Sequence, residues 1–215
     1  MKPKAITMAA LDDDANGVCV DQTTGAAANL LINGALASGG VATIAEAQIM
    51  SIEGSGDNSG ITFTITGTDS DGKSHSEVVT GSNAGTAVST TYFKTITQIA
   101  ASDAVTGNVE IGPLKANGAV TKTYCLNYLK PDFGVGLYVT LEGSAAMTYT
   151  VDHSEDYPFD SYTNGYQSDA TWRATSGLSS LTASDESNIA FPCQAVRLRQ
   201  SASTSGTMTF TIIQG

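Results

Sequence analysis

His153 is followed by Glu155 and Asp156, and with Asp152 and Asp160 these side chains place four carboxylates around Tyr157-Pro158-Phe159. Two carboxylates on either side of a sugar can hydrolyse it, one as acid and the other as base or nucleophile. Carboxylates this numerous also collect in any acidic loop. A zinc centre needs three or four converging ligands. Cys19, Cys125 and Cys193 form no C-x-x-C pair and lie far in sequence from both His75 and His153. Asp12, Asp13 and Asp14 are contiguous, whereas a calcium loop spaces its acidic ligands on alternate positions around a glycine. They read better as a solvated turn, or as part of an arm that orders on a partner. No G-x-S-x-G elbow, P-loop or H-E-x-x-H helix occurs. The expectation is a protein that is not an enzyme, with no catalytic residue, no cofactor and no metal.

What remains is binding. Tyr157, Phe159, Tyr162, Tyr166 and Trp172 lie in a polar stretch and belong to the amphipathic types enriched at interfaces. They serve equally well as a lid over a core. Together with Asp12, Asp13 and Asp14 they are the candidate partner-contact residues.

The elements that must position these residues are strands. The run from Ile61 to Gly81 alternates Ile61, Phe63 and Ile65 with Thr62, Thr64 and Thr66, reverses at Asp71-Gly72 and returns through Val78 and Val79. A period of two means one face buried and one wet, so the run predicts a β-hairpin. Further strands are expected over Gln48–Glu53, Val88–Ala101, Asn108–Ile111 and Thr121–Tyr128. Two more hairpins are expected near the end of the chain. One joins GVGLYVTLEG to AMTYTVDH at Gly143-Ser144, and the other joins QAVRLRQ to TMTFTIIQG through SASTSG. Asn33-Gly34 and Gly39-Gly40 cut the Ala- and Leu-rich segment before Val41 into pieces too short for stable helices.

The fold expected is all-β, two small β-sandwich units of jelly-roll or Ig-like type in tandem with little helix. The divisions are an N-terminal arm over 1–25, a first sandwich over 26–112, a linker over 113–120 and a second sandwich over 121–215. The second carries a long loop over 154–192, and loops of that length are usually functional or partner-bound.

Only 14% of the 215 residues are charged, against roughly 25% in an average soluble protein. A surface built from hydroxyls suits a protein packed against neighbours. The net charge is −11, with five basic and twelve acidic side chains up to Ala116 and five and nine from Asn117 onward. Both halves are acidic and neither offers a basic stripe for a phosphate backbone, which excludes direct nucleic-acid binding from the expected partners. No stretch of about 18 apolar residues and no signal-peptide pattern occurs, so synthesis in the cytoplasm and no membrane partner are expected. The three cysteines are expected to be buried and reduced, with a Cys125–Cys193 disulfide as the rival.

The segments INGALASGGVATI, DNSGITFTITGTDSDGKSHSEVVTGSNAGT, TYFKTITQIAASDAVTGNVEIG and FPCQAVRLRQSASTSGTMTFTIIQG resemble, in this order, a family of tailed-bacteriophage virion structural proteins. Between them, YTVDHSEDYPF is similar to that family's extended strand followed by an Asp/Pro turn. The resemblance implies a virion component. Within that class the expected function is capsid decoration (cement): binding the outer head surface, with the major capsid protein as partner, and stabilising joints between capsid subunits as a trimer or dimer. The alternatives are a tail or fibre protein that binds host glycan through the Tyr157–Trp172 stretch, and a tail-tube component. The Thr face of the hairpin is expected to be covered in part by a neighbouring subunit.

Overall fold

A computed structural model describes residues 3–159 and 170–215. Tyr162 and Tyr166 lie outside the described residues. Among the described residues, fifteen strands and one short 3-10 turn, Lys115–Asn117, make up the regular structure. The strands are β1 Lys4–Ala9, β2 Cys19–Gln22, β3 Ala28–Asn29, β4 Ala37–Ser38, β5 Val41–Gly54, β6 Thr62–Thr68, β7 Ser74–Thr80 and β8 Thr86–Ala101. They continue with β9 Val109–Pro113, β10 Ala119–Val120, β11 Tyr124–Cys125, β12 Val135–Ser154, β13 Arg173–Ala174, β14 Asp185–Ile189 and β15 Ala195–Gln214. The protein is all-β, with antiparallel pairing throughout the described ladders.

The chain divides into two compact units, one of residues Leu11–Ala119 and the other of Met1–Ala10 with Val120–Gly215. In the Leu11–Ala119 unit β5 pairs with β8 on one side and β9 on the other, β8 pairs with β6, and β6 with β7. Phe63, Ile65, Phe93, Ile96 and Ile99 are fully buried and pack with Met50, Ile52 and Ile111 into one core. Their β-branched and aromatic side chains suit a pleated, half-buried surface. The hairpin expected from the Ile61–Gly81 alternation is present, with seven consecutive pairs from Thr62↔Thr80 to Thr68↔Ser74. Gly39 and Gly40 both take positive φ in the β4–β5 reversal, as a tight turn requires.

In the other unit β12 and β15, each 20 residues long, form a ribbon that β13 and β14 extend on the β12 side and β1 and β11 on the β15 side. Val135, Leu137, Val139, Met147, Tyr149 and Val151 of β12 are buried, and so are Met208, Phe210 and Ile212 of β15.

Several expectations are corrected by this architecture. The arm over 1–25 is not an arm. Lys4–Ala9 pairs residue for residue with Thr207–Ile212, and Cys19 and Gln22 pair with Ile111 and Val109. The physical reason is alternation too short to stand out in sequence: Met8 is fully buried opposite Met208. The two hairpins at Gly143-Ser144 and SASTSG do not form. Both Gly/Ser-rich stretches lie inside continuous strands and face each other, with register shifts between Glu142 and Ala146 that take up the extra residues as bulges. Thr121–Tyr128 is not a full strand: only Tyr124 and Cys125 pair, with Val196 and Ala195. The expected loop over 154–192 contributes β13 and β14 to the edge of β12, and its Leu178 is fully buried. None of the three cysteines is in a disulfide, and Cys125 is exposed while Cys19 and Cys193 are buried.

Candidate functional site

Two carboxylates of the acidic cluster, Asp152 and Asp156, are held by neighbouring groups. Asp152, 3% exposed, accepts hydrogen bonds from Arg199 Nε at 3.0 Å and Nη2 at 3.2 Å, and from Arg197 Nε at 3.4 Å. The register makes this inevitable, because Asp152 sits opposite Arg197 on β15 and shares its face of the sheet. The Arg197 guanidinium lies 4.1 Å from the centre of the Trp172 ring, a cation–π stack that holds the half-buried indole in place. Bound by two arginines of β15, this carboxylate acts as a charge-neutralising clamp between β12 and β15. Asp156 accepts the Thr171 N–H at 2.7 Å, and Asp160 lies outside the described residues.

His153 is buried on the opposite face, its Nδ1 3.1 Å from Thr175 Oγ1 and its ring edge-on to Phe191. Burial holds its pKa below the ordinary histidine value, so it is neutral at pH 7. Burial also pushes the Cys193 thiol up to about 11 and the Cys19 thiol to about 12, the range of inert structural cysteines. Among the described residues no group of three or more His, Cys, Asp and Glu side chains is placed to hold a metal.

The residues expected to contact a partner fall in separate places. Asp12 Oδ2 accepts the Ala45 N–H at 3.2 Å, and the buried Gln48 amide brackets the Asp12 backbone with two bonds of 3.0 Å. Asp13 pairs with Lys115 at 2.7 Å, and that bond holds its carboxyl below the usual carboxylate range. The Asp14 N–H donates to Pro113 O at 2.9 Å. All three therefore tie their loop to its own unit. Tyr157 is 45% exposed and meets the half-buried Phe159 edge-on at 6.1 Å. An open hollow of about 380 Å³ in the same unit is lined in part by Phe133, Tyr138, Ile189 and Ile213, with no Asp, Glu, Lys, Arg or His side chain in its lining.

The outer face of β6 and its neighbours is rich in hydroxyl side chains. Phe63 and Ile65 point into the core, so Thr62, Thr64, Thr66 and Thr68 point out. Register places Ser74, Ser76, Val78 and Thr80 of β7 beside them, and Gln98 and Ala100 of β8 on the other side. This three-stranded face contains no ionisable side chain, on a chain whose net charge is −11. Its hydroxyls are organised: Thr66 and Ser76 hydrogen-bond at 3.2 Å, and Thr68 and Thr95 at 2.7 Å. The two ionisable residues of β7, His75 and Glu77, point inward instead. Glu77 accepts the backbone N–H groups of Thr90 and Thr91 at 2.7 and 2.9 Å, and His75 Nε2 lies 3.0 Å from Thr91 Oγ1. Alternation in the sequence revealed the Thr row, but only the register shows that β7 and β8 continue it without a charge. The Asp152–Arg197–Arg199–Trp172 clamp escaped sequence reasoning, because its members are up to 47 residues apart. No protein-family model matches the chain, and no curated protein and no solved structure is similar to it.

Proposed function

We propose that this chain is a virion structural protein of a tailed bacteriophage, a capsid decoration protein that binds the outer surface of the head and stabilises joints between capsid subunits. The observation that carries the proposal is the charge-free hydroxyl face of β6, β7 and β8 on an otherwise acidic body. Lys and Glu cost desolvation and side-chain entropy when a partner covers them, and both are depleted at interface cores. Short, ordered Thr and Ser side chains lose little on being covered and offer a donor and an acceptor each. The resemblance of the strand-and-turn segments to tailed-phage virion proteins supports the same assignment. The acidic body suits the outside of a head, where packaged DNA is not a neighbour. Mechanistically the protein adds buried interface area that internal pressure must disrupt before capsid subunits separate. Particles lacking it should lose DNA at lower temperature and at low ionic strength. Equal resistance with and without it would refute the proposal.

A second reading, a tail protein that binds host glycan, is favoured by the exposed Tyr157 beside Phe159. It predicts that Tyr157→Ala abolishes cell attachment, whereas a decoration protein tolerates that change.

A further inference from the structure

Among the described residues strand β7 is the last in its sheet and pairs only with β6. The ladder between them is bracketed by two backbone bonds, Gly81 N–H to Ile61 O and Asp69 N–H to Lys73 O, both 2.9 Å. Hydrogen-bonded and non-hydrogen-bonded pairs alternate along an antiparallel ladder. The odd residues His75, Glu77 and Val79 therefore direct N–H and C=O groups to β6, and the even residues Ser74, Ser76, Val78 and Thr80 direct theirs to the open edge. Natural sheets guard such an edge with Lys, Pro, a bulge or an inward charge that disrupts pairing. Here the β6–β7 register runs without a shift, the strand holds no Lys and no Pro, and its Glu77 is bound to Thr90 and Thr91. Val78 is 62% exposed in the middle of the outward row.

We infer that β7 is a strand-pairing edge and that its occupant is β7 of a second copy of this chain, related by a two-fold axis through Val78. In that register Val78 lies opposite Val78 and Ser76 opposite Thr80, all of them residues whose main-chain groups face outward. Glu77 then lies opposite Val79. The register centred one residue earlier would set Glu77 against Glu77, which like-charge repulsion disfavours. An edge whose outward row, Ser74, Ser76, Val78 and Thr80, carries no charge is also where two chains of net charge −11 approach at reduced electrostatic cost. Residues paired across an antiparallel ladder share a face, so the two hydroxyl faces become one continuous six-stranded surface. The inference is independent of the virion assignment, because it concerns the purified chain alone.

The test is sedimentation equilibrium of the purified protein and of three variants. Ser76→Pro removes a donor that points only outward, and Val78→Lys places a charge at the axis. Each should convert a dimer to a monomer, weakening self-association at least a hundredfold, with unchanged circular dichroism. The third is Val78→Cys in a Cys125→Ser background. Cα atoms in hydrogen-bonded antiparallel pairs stand about 5.5 Å apart, within disulfide reach, so this variant should crosslink as a dimer on mild oxidation. A monomeric wild type, a dimer that persists in both Ser76→Pro and Val78→Lys, or failure of Val78→Cys to crosslink would each overturn the inference.

Discussion

Replacing Asp152 by Ala takes one buried carboxylate away from two guanidinium groups at once. The carboxylate is 3% exposed and makes three bonds of 3.0 to 3.4 Å to Arg197 and Arg199. Removing one partner from an enclosed ion pair costs about 3–5 kcal/mol, because the other charge stays desolvated. The Arg197 and Arg199 side chains keep 13% and 33% exposure, so they recover part of their hydration and the expected loss falls to about 2–3 kcal/mol. The clamp sits in a unit of roughly 100 residues, where 1 kcal/mol moves the midpoint by about 4–8 °C, so its melting should drop by roughly 10–20 °C. Scanning calorimetry of Asp152→Ala beside Asp156→Ala is the assay. Emission from the only tryptophan adds a local readout, since loss of the Asp152 bonds loosens the Arg197 guanidinium stacked on the Trp172 ring and should shift its emission to the red below the melting temperature. Asp152→Asn, which keeps an acceptor without the charge, should lose about half as much. A melting temperature for Asp152→Ala within about 2 °C of wild type would refute the idea that this clamp ties β12 to β15.

Gly112→Ala should destabilise the Leu11–Ala119 unit by about 1–3 kcal/mol in chemical denaturation. A Cβ there would collide with the Asp14 carbonyl oxygen, so the loop that carries Asp12 to Asp14 must lift from β9. His153, buried neutral with its pKa below the ordinary value, binds its proton more weakly when folded than unfolded. Its contribution is therefore complete above about pH 6.5 and is lost as pH falls below that value. In His153→Gln the part of the pH 7 to 5 stability loss owed to this residue should disappear, as thermal melts across that range will show. Under native conditions at pH 8 a thiol reagent should modify exposed Cys125 quickly and leave Cys19 and Cys193 intact, with all three reacting in denaturant. Rapid native labelling of more than one thiol would contradict the buried placement.

Local pattern carried much of the fold. The alternation from Ile61 to Ile65 is enough to define β6, its buried face and its Thr row, because strand periodicity is a property of neighbouring residues. The 14-residue β5 and 16-residue β8 were legible only in part, since bulges between Thr43 and Gln48 and between Ile49 and Ser51 break the period. Gly143-Ser144 and SASTSG carry the chemistry of turns, yet each supplies slack to the other in a long ribbon, and only pairing information distinguishes the two outcomes. The placement of Lys4–Ala9 on β15 joins segments about 200 residues apart, which no local signal encodes. The candidate surfaces divide in the same way. The hydroxyl face was half visible as a Thr row. The open edge of β7, the inward turn of Glu77 and the arginine clamp under Trp172 follow from register alone.

The most direct test of the decoration assignment is the number of copies of this chain in a purified virion, measured by quantitative mass spectrometry against the major capsid protein. The assignment predicts hundreds of copies, in fixed ratio to the capsid protein and removable without loss of the tail. A dozen copies would place the chain in a connector ring, and tens would place it in a tube or fibre; either count would contradict the account.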